Sequence, residues 1–138
     1  MDNIINTVYI NPNSSFDETL IATSNSNTII KGQSGGRLSK ETSVTFEPSN
    51  ISAIIACGAS LNDEGGTAGL NEYHLQPKVY ATKEGETAEV ECTWNDARKC
   101  YEVPDTTANY IKVRAYIDGL SGSKFIHVMI GCLYVFRK

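Results

Sequence analysis

The segment from Asn109 to Asp118, NYIKVRAYID, decides the fold class. Its apolar residues fall on every second position: Ile111, Val113, Ala115 and Ile117 form one face, and Tyr110, Lys112, Arg114 and Tyr116 the other. A period of two is the signature of a strand with one buried and one wet face, because successive side chains leave opposite sides of the pleat. Residues 86–94, ETAEVECTW, repeat the pattern, with Ala88, Val90, Cys92 and Trp94 expected inward and Thr87, Glu89, Glu91 and Thr93 outward.

The C-terminal run FIHVMIGCLYVFRK, Phe125 to Lys138, is apolar on both faces. In strict alternation Phe125, His127, Met129, Gly131, Leu133 and Val135 share one side, and Ile126, Val128, Ile130, Cys132, Tyr134 and Phe136 the other. Each side therefore needs a cover, one being the core and the second either core or a subunit interface, for which Tyr134 and Phe136 are the candidates. Twelve extended residues at about 3.3 Å each span roughly 40 Å. Gly131 is accordingly the expected position of a bulge or bend that passes the chain between sheets. The run falls well short of the roughly 20 apolar residues of a membrane helix, so no membrane anchor is expected.

Further strands are predicted near residues 4–10, 19–23, 27–31, 42–47, 51–59, 73–82 and 99–103. Pro77 marks the 73–82 segment as an edge strand or as broken there, since proline cannot donate to a ladder. Ser15-Phe16-Asp17-Glu18 fits a capping box, which leaves a helical turn or two as the alternative to a strand before the SNSN tract. Asn, Ser and Thr crowd the loops NPNSS, TSNSN and DTTAN, where their side chains satisfy turn backbones. The expectation is an all-β chain, one domain over residues 1–138: an antiparallel β-sandwich of jelly-roll or Ig-like type with about 8–10 short strands and little helix. Residues 1–15 read as an N-terminal arm or edge strand. The stretch GASLNDEGGTAGLNE, residues 58–72, reads as a long irregular loop, and its length makes it a candidate for contacting a partner.

The net charge of -4 disfavours a nonspecific nucleic-acid binder, which needs a basic excess to displace counterions from phosphates. The start, MDNIINTVYINPN, has no basic residue and no apolar run of signal-peptide length, so synthesis and folding in a cytoplasm are expected. Reduced thiols are then the rule. Cys57 and Cys132 read as small buried hydrophobes; Cys92 and Cys100, flanking TWNDARK, are the pair that a bridge would join if they face one another across a hairpin. No cysteine has a second Cys or His at zinc-ligand spacing.

Gly32-Gln33-Ser34-Gly35-Gly36 has the spacing of a nucleophile elbow, but RLSKETSVTF after it is a strand pattern where the elbow needs a helix. His127 on an apolar strand reads as a core or interface residue, and His74 as a surface residue. Asn62, Asp63, Glu64, Asn71 and Glu72 offer oxygens suited to calcium, without the alternating acids and fixed glycine of an EF-hand. Neither a cofactor nor a metal is expected, and the chain reads as non-enzymatic. The row Tyr110, Lys112, Arg114, Tyr116 is the strongest surface feature. Such a row could stack on sugar rings or bases and pair with anions; the favoured reading is a sheet face or protein interface with Lys112 and Arg114 paired to Glu89 and Glu91 across strands. With Asp63, Glu64 and Asn71, this row forms the candidate partner or glycan surface.

The polar start MDNIINTVYINPNSS, the alternation through SVTFEPSNISAIIACGASL and the compact apolar end resemble the small β-rich proteins of tailed-phage virions, such as head decoration or cement proteins and fibre components. The resemblance implies a homo-oligomer, often a trimer, incorporated in the virion and docked on a capsid or tail protein. It further implies contacts through residues 60–72 or the N-terminal segment, which would add a strand to a neighbour. A carbohydrate-binding β-sandwich module is the alternative, held back by the single tryptophan, which the pattern turns inward.

Overall fold

The computed structural model describes residues 18–26, 37–63, 70–121 and 126–138. Among the described residues ten strands form two antiparallel sheets packed face to face, so the chain is an all-β sandwich. They are β1 (Thr19–Ser26), β2 (Arg37–Ser49), β3 (Ile51–Asp63), β4 (Leu70–Leu75), β5 (Lys78–Lys83), β6 (Glu89–Glu91), β7 (Thr93–Asn95), β8 (Cys100–Glu102), β9 (Tyr110–Ser121) and β10 (Ile126–Arg137). The larger sheet runs β1-β10-β3-β8-β7, with β4 also on β3; the smaller runs β2-β9-β5-β6. The strands are not uniformly short, since β2 and β3 have 13 residues and β9 and β10 have 12.

The main core lies between the sheets. Val113, Ala115 and Ile117 of β9 and Val79 and Ala81 of β5 meet Ile54 and Ala56 of β3 and Val128, Ile130, Leu133 and Val135 of β10. Alternation, shifted once by a bulge in β10, places these residues on the facing sides, and their burial is worth about 1.5–3 kcal/mol for each large side chain. A second cluster, Ala53, Ile55, Cys100, Cys132, Tyr134 and Phe136, with Leu20 and Cys57 half-buried against it, occupies the opposite face of the larger sheet. The larger sheet is therefore apolar on both faces.

Gly131 is the bulge that the sequence predicts, but it does not carry the chain between sheets. The pairing of β10 with β3 steps from Ile130 opposite Gly58 to Cys132 opposite Cys57, leaving Gly131 as the extra residue in one continuous strand. A single extra residue inverts the facing of everything beyond it. Val128 and Ile130 consequently share the main core with Leu133 and Val135, which strict alternation puts on opposite faces.

Two other expectations change, those for residues 58–72 and 86–94, while the break expected at Pro77 is observed. Residues 58–72 are largely a hairpin, β3 and β4 pairing from Gly58 opposite Leu75 to Asp63 opposite Leu70. The 73–82 segment is broken at Gln76-Pro77, its halves belonging to different sheets, and the Tyr101 hydroxyl donates to the Pro77 carbonyl at 2.6 Å across the break. Residues 86–94 are not one strand either: β6 ends at Glu91 in the smaller sheet and β7 begins at Thr93 in the larger, with Cys92 at the corner. The region before Ser26 that admits helix or strand is strand from Thr19. The segments 4–10 and 27–31, the arm 1–15, the Ser34 turn and Glu64 lie outside the described residues.

Candidate functional site

The outer face of the smaller sheet carries most of the predicted surface row. Arg114 sits at its centre, opposite Tyr80 of β5 and Ser43 of β2. Its Nε and Nη2 donate to the two carboxylate oxygens of Glu89 at 2.8 Å each, and Nη1 donates to Glu41 at 2.9 Å. The guanidinium also lies 4.8 Å from the centre of the Tyr80 ring and 5.6 Å from that of Tyr116. One planar cation is thus held by a bidentate carboxylate, a second carboxylate and two aromatic rings, an arrangement open to arginine but not lysine. The Arg114 hydrogen bond holds the Glu89 carboxyl below the ordinary carboxylate range, outweighing the upward push of burial. The cross-strand pairing expected of this face is realised for Arg114 and Glu89.

Tyr110 does not belong to that row. Thr82 pairs with Lys112 and Lys83 with Tyr110, so Ile111 is an extra residue in β9 and Tyr110 is turned into the core, where it is fully buried. Its hydroxyl donates to the Asp105 carbonyl at 3.1 Å. The bulge breaks the phase between Tyr110 and Lys112, which plain alternation cannot register. Lys112, Arg114 and Tyr116 stay on the outer face, half-buried.

Asp63 and Asn71 lie in the β3–β4 hairpin, where Asp63 pairs with Leu70 and Asn71 with Asn62, apart from the Arg114 cluster in register. Tyr134 and Phe136, the interface candidates, belong to the second cluster and are 8% and 1% exposed within the single chain. His74 pairs opposite Ala59 and His127 opposite Leu61, at strand positions.

The cysteines are thiols, as expected, and the condition for a bridge between Cys92 and Cys100 is not met. Cys92 lies in the core between the sheets and Cys100 in the cluster on the far face, so a sheet separates them and both are thiols. Burial pushes the Cys92 thiol up to about 12 and that of Cys100 up to about 11, which keeps both protonated and inert. The close pair is instead Cys57 and Cys132, directly opposite across β3 and β10, with sulfurs 2.9 Å apart.

The sequence reading misses the exposed indole. Trp94, expected inward, is 37% exposed and is the large hydrophobic residue left most open among those described. The corner at Cys92 ends the continuous strand on which the inward assignment depended. Trp94 stands over an open groove of about 540 Å³ where β5 and β6 meet β7 and β8, lined also by Gln76, Lys78, Glu91, Thr93 and Tyr101. Comparisons of the chain with protein-family models, curated proteins and solved structures find no match.

Proposed function

We propose that this is a non-enzymatic assembly protein, a phage virion component that binds neighbouring virion subunits through the outer face of its smaller sheet. The observation carrying this reading is the Arg114 cluster. Tyrosine and arginine are the residues on which protein interfaces concentrate their binding energy, and here both are held in place before any partner arrives. Pre-organisation reduces the side-chain entropy that association would otherwise cost. The three donor nitrogens of Arg114 are already engaged, so the face suits a broad, flat protein surface better than capture of a single anion. The resemblance to small virion proteins supplies the partner class: further copies of the chain, in a trimer or similar ring, and a capsid or tail protein.

Light scattering on the full chain at micromolar concentrations tests the reading. A homo-oligomer is expected, dissociated by Tyr80→Ala with Tyr116→Ala while the circular dichroism of the strands is kept. A monomeric wild type, or a double variant that assembles as well as the wild type, overturns it.

A further inference from the structure

We propose that the groove beside Trp94, which borders the assembly face where Lys78 pairs with Tyr116 and Glu91 with Tyr80, is a saccharide-binding site. The indole is already set in place. Its ring meets that of Tyr101 with centroids 5.1 Å apart at 70°, an edge contact that does not stack the two rings, and its Nε1 donates to Asp96 Oδ1 at 3.3 Å. Tyr101 is in turn fixed by its bond to the Pro77 carbonyl, so the aromatic pair rests on the corner where the chain changes sheets. A rigid, partly exposed indole offers binding area with little ordering left to do.

Polar groups around it are open. Lys78, Glu91 and Thr93 are exposed, and their side chains make no hydrogen bond or ion pair among the described residues. The contrast with Arg114, whose donor nitrogens are engaged within the chain, is what separates the two surfaces.

A flat apolar ring with an ammonium, a carboxylate and a hydroxyl at its rim selects an amphipathic ligand. A pyranose has that form: one face of C–H bonds, weakly positive, lies against the negative face of the indole, while hydroxyls at the ring edge both donate and accept. A wholly apolar ligand would desolvate Lys78 and Glu91 without replacing their water. A nucleic acid would meet Glu91 and a chain of net charge -4. The groove's volume falls within the range of about 300–1,000 Å³ typical of small-ligand sites, enough for a short glycan.

Trp94 is the only tryptophan in the chain, so its fluorescence reports on this groove alone. The full chain is titrated with cellotriose, maltotriose and triacetylchitotriose to about 10 mM, and is applied in parallel to an array of immobilised glycans, weak single-site binding being near 1 mM. The expected result is a saturable change in Trp94 emission with at least one glycan class. Trp94→Ala, an exposed position, should abolish the array signal, and Glu91→Ala and Thr93→Ala should weaken binding about three- to tenfold. No fluorescence change and no array signal from the folded wild type overturns the proposal. So does an array signal that Trp94→Ala leaves at full strength, since the glycan would then sit elsewhere. Should Trp94→Ala fail to fold, the Glu91 and Thr93 variants decide by the same criterion. Glu91 pairs with Tyr80 of the assembly face, but Trp94 and Thr93 stand in the larger sheet, so Trp94→Ala decides this proposal, Tyr80→Ala with Tyr116→Ala decides assembly, and either can fail alone.

Discussion

Two glycines at the bulge should respond in opposite ways to a single added methyl group. Gly58 of β3 faces the smaller sheet, and a Cβ built there overlaps the Cδ1 of Ile117 and lies 3.1 Å from the Met129 carbonyl oxygen. Gly131 has room: the nearest atoms to its Cβ would be Cys57 Sγ at 3.6 Å and the Cys57 carbonyl oxygen at 3.9 Å. Overpacking costs about 1–3 kcal/mol, and the loss of glycine's freedom in the unfolded chain offsets about 0.4–1 of it. Gly58→Ala should therefore lose about 1.5 kcal/mol. A chain of 138 residues has an unfolding entropy near 0.3 kcal/mol/K, so the melting temperature should fall by about 5 °C. Gly131→Ala should be neutral or stabilising by up to about 1 kcal/mol. The decisive measurement is a cycle with Ile117→Val, read by urea denaturation. Alone that change costs about 0.5–1.5 kcal/mol; combined with Gly58→Ala it removes the clashing methyl, so the two losses should fall short of additive by about 1 kcal/mol. Additive losses, or a Gly131→Ala variant less stable than Gly58→Ala, would refute both the contact and the placement of the bulge.

Two further outcomes follow from the ion pairs and thiols. Glu89 is bound by Arg114 and its folded pKa is depressed, so its contribution is fully present above the unfolded value of 4.5 and is lost as pH falls through the folded one. Asp96, lowered by Lys99, and Asp105, lowered by Thr107, share that acid window. The loss of melting temperature on acidification from pH 6 to pH 3 should thus be smaller in Glu89→Gln than in the wild type; equal losses would contradict the pairing. Cys57 and Cys132 should join on exposure to oxidised glutathione: each thiol gives up a proton and the pair two electrons, while the oxidant leaves as two thiols. The bond would close a loop of 75 residues, with an upper bound of about 4 kcal/mol of stabilisation. Mass spectrometry of the alkylated product should show two blocked and two open cysteines, and a mixed pattern involving Cys92 or Cys100 would count against the geometry.

What was legible in the sequence was local. Alternation in NYIKVRAYID and in the C-terminal run identifies strands and the all-β class, and Pro77 and Gly131 mark real discontinuities, because each acts through its own backbone. Sheet membership was not legible. Among the described residues the chain changes sheets at Asn50, at Gln76-Pro77, at Cys92 and between Glu102 and Tyr110; Pro77 and Pro104 mark the second and the fourth, while nothing in the residue types of Asn50 or Cys92 announces the other two. At Cys92 the apolar alternation runs straight through the corner, since a buried residue suits both the end of β6 and the start of β7.

The misplaced site residues trace to single irregularities. Ile111 turns Tyr110 into the core, Gly131 exchanges the faces of β10, and the Cys92 corner brings Trp94 into the open. In each, one residue inverts the facing of its neighbours, because a strand's side chains have only two directions to choose between. The consequence for function is direct. Alternation assigns residues to shared faces in sets, so one undetected bulge moves a residue between core and surface, as Tyr110 and Trp94 demonstrate in opposite senses. The row read as a sheet face or protein interface, with sugar binding as its alternative, lost its first aromatic and has its arginine paired, while the indole expected to be hidden became the exposed ring beside open polar groups. A binding surface on a sandwich is therefore located by its corners and bulges before its composition, and here both candidate surfaces adjoin one: Ile111 ends the Arg114 row, and Cys92 opens the Trp94 groove.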